Sequence, residues 1–285
     1  MTSLKDRTKF STSSFDADKI KIETKEKVNG KEKLIYVNLI DKDSGKYIAF
    51  ETLEPLFTRF GASSSKEYPD SYSITFSFRD SNEKESNFFQ QLMLLKEKII
   101  DHIEKDSKTI FKKKMTREVM LTADKFKSAV GTSVSKTNGN SYNQIAVKIS
   151  TSREENKPQN FDLFTMKDKK IKQINLSSMS KVDAWNKVKN TISSRSEVRA
   201  VFIPMVDLRN GNAKFTFNAL QVLADEPTEN EPGSVFGFTC AGGESFDNNA
   251  SKEPESQDAE QSAEDTEDEE EIEEEEDDED EEEED

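Results

Sequence analysis

The sequence has few of the residues on which metal sites and nucleophilic catalysis usually depend. Its 285 residues include one cysteine, Cys240, and one histidine, His102. A single cysteine excludes an intramolecular disulfide and favours a reducing, intracellular setting. One histidine and one cysteine argue against a zinc site and against most histidine-based catalysis. His102 falls on the polar flank of a predicted helix, where we expect a surface histidine.

Several motifs of enzymes are also missing. There is no phosphate loop of the GxxxxGK[ST] type, no GxSxG, no HExxH and no CxxC. We therefore expect a protein that is not an enzyme and that needs no metal and no cofactor. No apolar stretch approaches the roughly 20 residues of a membrane span, and "MTSLKDRTKF" has the features of neither a signal peptide nor a transit helix. We expect a soluble, intracellular protein.

Charge is what the sequence has in excess, and it is divided unevenly along the chain. The net charge of −17 combines two opposite parts. Residues 1–224 hold 40 Lys and Arg against 28 Asp and Glu, a net charge of +12, whereas residues 225–285 hold one Lys against 30 Asp and Glu, a net charge of −29. This asymmetry indicates a basic body that binds a polyanion and an acidic tail that mimics or competes with it.

The same division predicts the domain organisation. Residues 1–224 are long enough for one compact body, and residues 225–250 are expected to be a linker. Residues 251–285 end in "EDTEDEEEIEEEEDDEDEEEED", in which 20 of 22 residues are acidic. Such a segment repels itself and has little to bury, so we expect a disordered tail.

Short strands are predicted over most of the body. "KIKIETKEK", "KLIYVNLI" and "KYIAFE" (Lys19–Glu51) are separated by turn residues and indicate three strands in meander order. "SYSITFSFRD" (Ser71–Asp80) alternates as a half-buried strand does, whereas Pro55–Pro69 reads as a loop. Strands are also predicted at Asn138–Ser150, in a hairpin over Phe161–Ile174, and in a final hairpin from Ser196 to Ala224.

Helical spacing is found in two places. Apolar residues recur every three or four positions in Asn82–Asp106, and Ser180–Ser193 begins with a serine cap and carries Val182, Trp185, Val188 and Ile192. "TREVML" indicates a short helix capped by Thr116. Many short strands must protect their edges, and closure into a small barrel does so. We therefore predict a mainly β (α+β) fold with a helical insert, an OB-fold-like small barrel, although a sandwich is also compatible with this order.

Basic residues interleaved with aromatic residues predict the binding site, because cations follow phosphates and bases stack on rings. The first cluster comprises Lys112, Lys113, Lys114 and Arg117, beside Phe111. The second comprises Lys167, Lys169, Lys170 and Lys172, after Phe164. Either run is also compatible with an ordinary solvated surface.

Further candidates lie on predicted strands. The polar side of the Ser71–Asp80 strand carries Arg79, and rings close to Lys148 and Arg199 could stack a base. The candidate rings are Tyr36, Tyr47 and Tyr142, with Phe202 and Trp185 undecided between stacking and packing. Phe76, Phe78, Phe88 and Phe89 fall on core-facing stripes and are expected in the core.

The basic body, the helix after the early strands, the final hairpin "VRAVFIPMVDLRNGNAKFTFNALQVL" and the acidic terminal run together resemble one family. This is the replicative single-stranded DNA-binding proteins of large nucleocytoplasmic DNA viruses and, more distantly, those of tailed phages. The resemblance implies sequence-independent binding of single-stranded DNA in replication, recombination and repair. It also implies a tail that contacts a DNA polymerase, helicase or primase, assembly of a homo-oligomer on DNA, and a viral protein at replication sites in host cytoplasm or nucleus.

One feature departs from that family. Phage-type tails end in an aromatic residue that helps to dock the tail, whereas this chain ends in Asp285, so Phe236, Phe238 and Phe246 are the candidates to replace it. Two other functions fit the same composition. A histone chaperone-like escort would use the tail as its main binding surface, and an RNA-binding protein would use the same cations and rings.

Overall fold

The computed structural model describes residues 4–29, 32–64, 71–134, 139–152, 157–167, 170–209 and 211–225. Apart from Asp225, the predicted linker and acidic tail lie outside these ranges. The strands are Arg7–Ser11 (β1), Ile20–Asn29 (β2), Glu32–Asp41 (β3), Tyr47–Glu51 (β4), Leu56–Ser64 (β5), Tyr72–Phe78 (β6), Phe126–Ser128 (β7), Val130–Val134 (β8), Ser141–Ile149 (β9), Asp162–Lys167 (β10), Lys170–Ile174 (β11), Ser196–Arg209 (β12) and Asn212–Asp225 (β13). The α-helices are Glu83–Lys105 (α1), Ser107–Phe111 (α2), Arg117–Thr122 (α3) and Lys181–Thr191 (α4).

Five of these strands close into a ring. β5 pairs with β6, β6 with β9, β9 with β13, β13 with β12, and β12 again with β5. Numbered along the chain from β5, the order around the ring is 1-2-3-5-4. The only parallel pair in the ring is β9 with β13. A five-stranded Greek-key barrel of this kind is the OB-fold, so the predicted mainly β fold and small barrel are confirmed.

The barrel interior is filled by alternate side chains of these strands. Ile74 and Phe76 of β6, Ile145 and Val147 of β9, and Phe202 of β12 are all fully buried. The same alternation turns Thr75 and Ala146 outward. The rings that were expected in the core, Phe76, Phe78, Phe88 and Phe89, are buried, and Phe202 and Trp185 are buried too.

The expected loop at Pro55–Pro69 was wrong for Leu56–Ser64, which forms β5, a wall of the barrel. Residues 65–69 lie outside the described residues. Its alternation is interrupted by a bulge: Thr58 pairs with Phe76 and Ala62 with Ile74, so Arg59, Phe60 and Gly61 lie opposite Thr75 alone. Bulges bend a strand and re-aim its side chains. Because of the bulge, the buried residues of β5 do not recur at every second position, which is the pattern from which strands were predicted.

The first strands extend the barrel on one side. β2 and β3 form the predicted hairpin, paired from Ile20 with Asp41 to Asn29 with Glu32, and β3 continues to β4 through Ile40 and Tyr47. β1 lies parallel to β4 and was not predicted, since "RTKFS" is short and mostly polar. With β1 and β5 added to the four strands predicted before it, α1 follows the sixth strand.

Helices α1, α3 and α4 begin where the sequence predicted, whereas the short helix α2 was not predicted. Asn82 caps α1 by accepting hydrogen bonds from the backbone N–H groups of Lys84 and Glu85, and Thr116 caps α3. Phe88 of α1 contacts Phe50 and Phe78, with ring centroids 5.5 and 5.8 Å apart. The helix therefore joins the core of the barrel.

Helix α4 is capped by Ser180, and Trp185 stacks on Tyr72 of β6 at 3.8 Å between centroids. Val182, predicted on the apolar stripe of this helix, is instead 65% exposed. It lies in the first turn, before the buried residues Ala184, Trp185 and Val188. No helix among the described residues is long and apolar enough to cross a membrane.

Candidate nucleic-acid interface

The outward side of β5, β6 and β9 forms a continuous surface, which we call the barrel face. On it Ser73 lies opposite Lys148, Thr75 opposite Ala146, and Ser77 opposite Gln144. In OB-folds this side of the second and third strands, together with the loops between strands one and two and between strands four and five, is where oligonucleotides bind. In this chain the fourth and fifth strands are β12 and β13, joined at Arg209–Asn212.

One end of the barrel face carries a cation stacked on a ring. The guanidinium carbon of Arg59 lies 3.9 Å from the centroid of the Tyr142 ring, and 5.3 Å from that of Phe60. Phe60 is 54% exposed because the β5 bulge turns it away from the core. No salt bridge joins Arg59 to any described residue. A planar guanidinium and an exposed phenyl ring are both surfaces on which a nucleobase can stack.

The other end carries three cations. Lys148 of β9 is half-buried, and its neighbours include Lys214 of β13, Arg209 of β12 and Asp207. Burial, followed by the charge of Lys214, holds the pKa of Lys148 below its ordinary value, while Asp207 opposes the shift. Asp207 bonds Arg209, with 2.9 Å between Oδ1 and Nε. A phosphate placed here would offset the repulsion between the cations.

Two polar atoms lie between these ends without a partner. The Ser77 Oγ and Gln144 Oε1 atoms are buried and make no hydrogen bond to any described residue. They belong to directly opposed residues of β6 and β9. Unpaired buried polar atoms are uncommon in folded proteins, and these two lie beneath the centre of the barrel face.

Two predicted site residues are engaged elsewhere. Arg79 bonds the buried carboxylate of Glu85, with 2.6 Å from Nη2 and 3.0 Å from Nε to Oε1, and its Nη1 lies 2.9 Å from Glu197. Hydrogen bonding to Glu85 raises the pKa of Arg79. Arg117 bonds Glu97 and Asp101 of α1. Both guanidinium groups are therefore matched by carboxylates.

The other predicted residues fall into separate groups. Lys112, Lys113 and Lys114 are exposed in the turn after α2, whereas Lys167, Lys170 and Lys172 are exposed on the β10–β11 hairpin. Lys169 lies outside the described residues. Phe164 and Arg199 both pair with Leu223, so they share one face beyond the barrel ring.

The tyrosines are also divided. Tyr142 lies on the barrel face, Tyr36 of β3 is 44% exposed, and Tyr47 of β4 faces the guanidinium of Arg7 at 5.6 Å. Thus the structure brings Tyr142 and Lys148 together on the barrel face, and it places the two lysine clusters apart from one another. Whether any of these residues contacts a nucleic acid stays a prediction.

The sequence-based prediction missed Arg59, Phe60, Arg209 and Lys214. Arg59 and Phe60 lay in the supposed loop, where Gly61, inside an otherwise strand-like segment, was the available signal of a bulge. Arg209 and Lys214 flank "NGN" in the final hairpin, which was read only as a turn. Their convergence on Lys148 depends on the closure of the barrel between β9 and β13.

His102, expected on the surface, is only 19% exposed at its side chain. Its Nε2 atom lies 2.9 Å from Oγ1 of Thr24, which donates to Asp106 at 2.6 Å. Burial lowers the pKa of His102. Among the described residues no group of three or more His, Cys, Asp or Glu side chains is placed to hold a metal ion.

The comparisons with known proteins found similarity among solved structures alone. No protein-family model matches the chain, and no curated protein matches it. Among solved structures, it is similar to the C-terminally truncated single-stranded DNA-binding protein of bacteriophage Enc34, with 15% identity, a TM-score of 0.35, and coverage of 73% of this chain and 97% of that one. The same phage protein in complex with single-stranded DNA matches at 14% identity and a TM-score of 0.35, over 73% of this chain and 97% of that one.

A second phage protein is also similar. The single-stranded DNA-binding protein gp2.5 of bacteriophage T7 has 9% identity and a TM-score of 0.37, and the match covers 66% of this chain and 96% of that one. Similarities of this size carry no functional argument by themselves.

Proposed function

We propose that this chain binds single-stranded DNA without sequence preference, across the barrel face and over the β12–β13 turn. One observation carries the proposal: the barrel face holds the Arg59–Tyr142 stack at one end and the cations Lys148, Lys214 and Arg209 at the other. Rings and a guanidinium that stack bases, next to cations that follow phosphates, are the elements of sequence-independent single-strand binding.

A duplex would use this face less well. Bases within a duplex are already stacked and paired, so the rings at the Arg59 end would gain nothing unless the duplex opened. The cations alone would still attract its phosphates. We therefore expect a preference for single strands that comes mainly from Arg59, Phe60 and Tyr142.

The acidic tail is proposed to act on the same face. Residues 225–285 carry a net charge of −29 and are tethered to a body of +12. A tethered polyanion reaches an effective concentration near millimolar, which would weaken loose DNA binding until a strand displaces it. The released tail would then recruit a DNA polymerase, helicase or primase. In this proposal the protein acts inside the cell in DNA replication, recombination and repair. We further propose that it is one of the single-stranded DNA-binding proteins of large nucleocytoplasmic DNA viruses.

Binding measurements on two forms of the protein test the proposal. Since β13 runs to Asp225, the truncated form should keep residues 1–230. We expect both forms to prefer single-stranded over double-stranded DNA in fluorescence anisotropy, with tighter and less selective binding after truncation. The logarithm of affinity should fall with the logarithm of salt by about 0.7 per phosphate contacted.

Charge-matched variants locate the site. Lys148→Gln and Lys214→Gln should each weaken binding and reduce the salt slope by about 0.7, whereas Lys46→Gln, an exposed lysine in the β3–β4 turn, should leave both unchanged. Equal effects of all three substitutions, or no preference for the single strand, would refute the proposal. Negligible DNA affinity, together with tail-dependent binding of histones, would instead support an escort protein, and tighter binding of RNA would indicate an RNA-binding protein.

A further inference from the structure

An open groove of about 320 Å³ lies beside the barrel face, between β3, the end of α2 and the β12–β13 turn. We call it the side groove. Its volume is at the lower end of the range in which proteins hold small ligands, roughly 300–1,000 Å³. The rings of Tyr36 and Phe111 and the cations Lys33, Lys112 and Arg209 line it.

The side groove has the charge and the surfaces that a nucleotide requires. None of the described residues that line it is acidic. Lys33 and Arg209 are balanced by Glu26 at 3.5 Å and Asp207 at 2.9 Å, but Lys112 makes no salt bridge to any described residue. Tyr36 is 44% exposed, so a large part of its side chain is accessible to a ligand.

The backbone of Lys112 supports a role for this lysine. Its φ angle is 61°, in the left-handed region that disfavours residues other than glycine, asparagine and aspartate. This conformation ends α2 and brings Lys112 to the groove, whereas Lys113 and Lys114 are exposed and do not line it. A left-handed residue commonly ends a helix, and here that residue is the lysine that lines the groove.

Arg209 connects the side groove to the barrel face. It lines the groove and is also among the charges that act on Lys148. A strand bound along the barrel face that passes Lys148 and Arg209 would therefore reach the groove next. The side groove therefore lies on the path of that strand.

We propose that the side groove holds one nucleotide of the bound strand, with its base on the Tyr36 ring and its phosphate between Lys112 and Arg209. The inference rests on the proposed function, since it adds a subsite to the DNA path. It divides the binding surface into a barrel face that holds short strands and a side groove that only longer strands reach.

A length series of oligothymidylates, bound to the full-length protein, tests this division. Single-strand sites on one OB-fold span about 4–16 nucleotides, so the series should cover that range. Tyr36→Ala should leave the affinity for the shortest bound strands unchanged and weaken the affinity for longer ones by about 5- to 150-fold, the value of one stacked base. Tyr36→Phe, which keeps the ring, should restore the affinity for long strands.

Two neighbouring lysines distinguish binding in the side groove from non-specific electrostatic attraction of the DNA strand. Lys112→Gln should lower the salt slope for long strands by about 0.7, and Lys113→Gln, the same change one residue away, should leave it unchanged. In Tyr36→Trp, the added fluorescence should be quenched by long strands and not by the shortest ones. Trp185, buried in both proteins, supplies the constant background.

The outcomes distinguish the two proposals. If the wild-type protein binds single-stranded DNA but Tyr36→Ala weakens short and long strands equally, or weakens neither, the side groove is not a subsite and the proposed function stands. Equal effects of Lys112→Gln and Lys113→Gln would likewise overturn the subsite. If the wild-type protein does not bind single-stranded DNA, the proposed function fails, and the subsite fails with it.

Discussion

Replacing Gly61 by alanine should destabilise the protein through one contact of the β5 bulge. The φ angle of Gly61 is +62°, and a Cβ atom added there would lie 2.3 Å from the carbonyl oxygen of Ile192 and 2.5 Å from the carbonyl carbon of Ser193. These are backbone atoms at the end of α4, and they are held in place. The backbone N–H of Ala62 donates to the Ile192 carbonyl at 2.8 Å, and that of Arg195 donates to Thr58 at 2.7 Å.

The expected magnitude has two parts. A left-handed backbone costs a residue with a Cβ about 1–2 kcal/mol, and forcing extra volume into a packed site costs about 1–3 kcal/mol. Alanine at Gly45 allows the backbone cost to be measured without the packing cost, because the φ angle of Gly45 is +69° and a Cβ added there meets nothing within 4 Å. Gly45→Ala should therefore show the backbone cost alone, and Gly61→Ala should be lower in stability than Gly45→Ala by about 1–3 kcal/mol.

Urea denaturation of the two variants and the wild type, followed by circular dichroism, measures this difference. The bulge also carries Arg59 and Phe60, so Gly61→Ala should weaken binding of single-stranded DNA under conditions where it is folded, whereas Gly45→Ala should not. If the two variants lose the same free energy of unfolding, the close approach of Gly61 to Ile192 is not a feature of the folded protein.

Two further predictions concern residues outside the proposed interface. Arg79→Ala should lower the free energy of unfolding by about 1.5–3 kcal/mol, because it removes a guanidinium from the buried Glu85 carboxylate. The affinity for single-stranded DNA should not change. A loss of affinity without a loss of stability would show that Arg79 binds the strand. Burial lowers the pKa of His102 in the folded protein below its ordinary value of 6.5. As the pH falls, the histidine is therefore protonated in the unfolded chain before it is protonated in the folded protein. The free energy of unfolding should thus be constant above about pH 6.5 and decline as the pH falls through that value. Urea midpoints of wild type and His102→Gln between pH 7.5 and 5 should converge towards acid pH, and a constant difference would contradict this assignment.

The sequence predicted elements well where local signals were complete. The helix α1 has both an asparagine cap and a full apolar stripe, and α3 and α4 have Thr116 and Ser180 as caps. Each signal lies within a few residues of the element that it marks, so it can be recognised without knowledge of the fold. β5 was missed because the bulge at Arg59–Gly61 breaks its alternation, and the reason for that bulge lies in its contact with Ile192, far along the chain.

The candidate site was predicted only in part for a similar reason. Tyr142 and Lys148 were identified because they lie on one predicted strand, where a ring next to a cation can stack a base. Their companions come from other strands: Arg59 through the β5 bulge, and Lys214 and Arg209 through the β12–β13 hairpin. Which basic residues converge is decided by the order of strands around the ring, and no local pattern contains that order.

Net charge alone also fails to identify the basic residues that can bind DNA. Arg79 and Arg117 carry the same charge as Lys148 and Arg59, but their guanidinium groups bond Glu85, Glu197, Glu97 and Asp101. A guanidinium held by two carboxylates, as Arg79 and Arg117 are, gains little from a phosphate, because it must first give up those partners. Arg59, Lys112 and Lys148 make no salt bridge to any described residue, so a phosphate can contact them without such a loss. If the acidic tail competes with DNA, it should compete for these same cations, and substituting Arg79 or Arg117 should leave that competition unchanged.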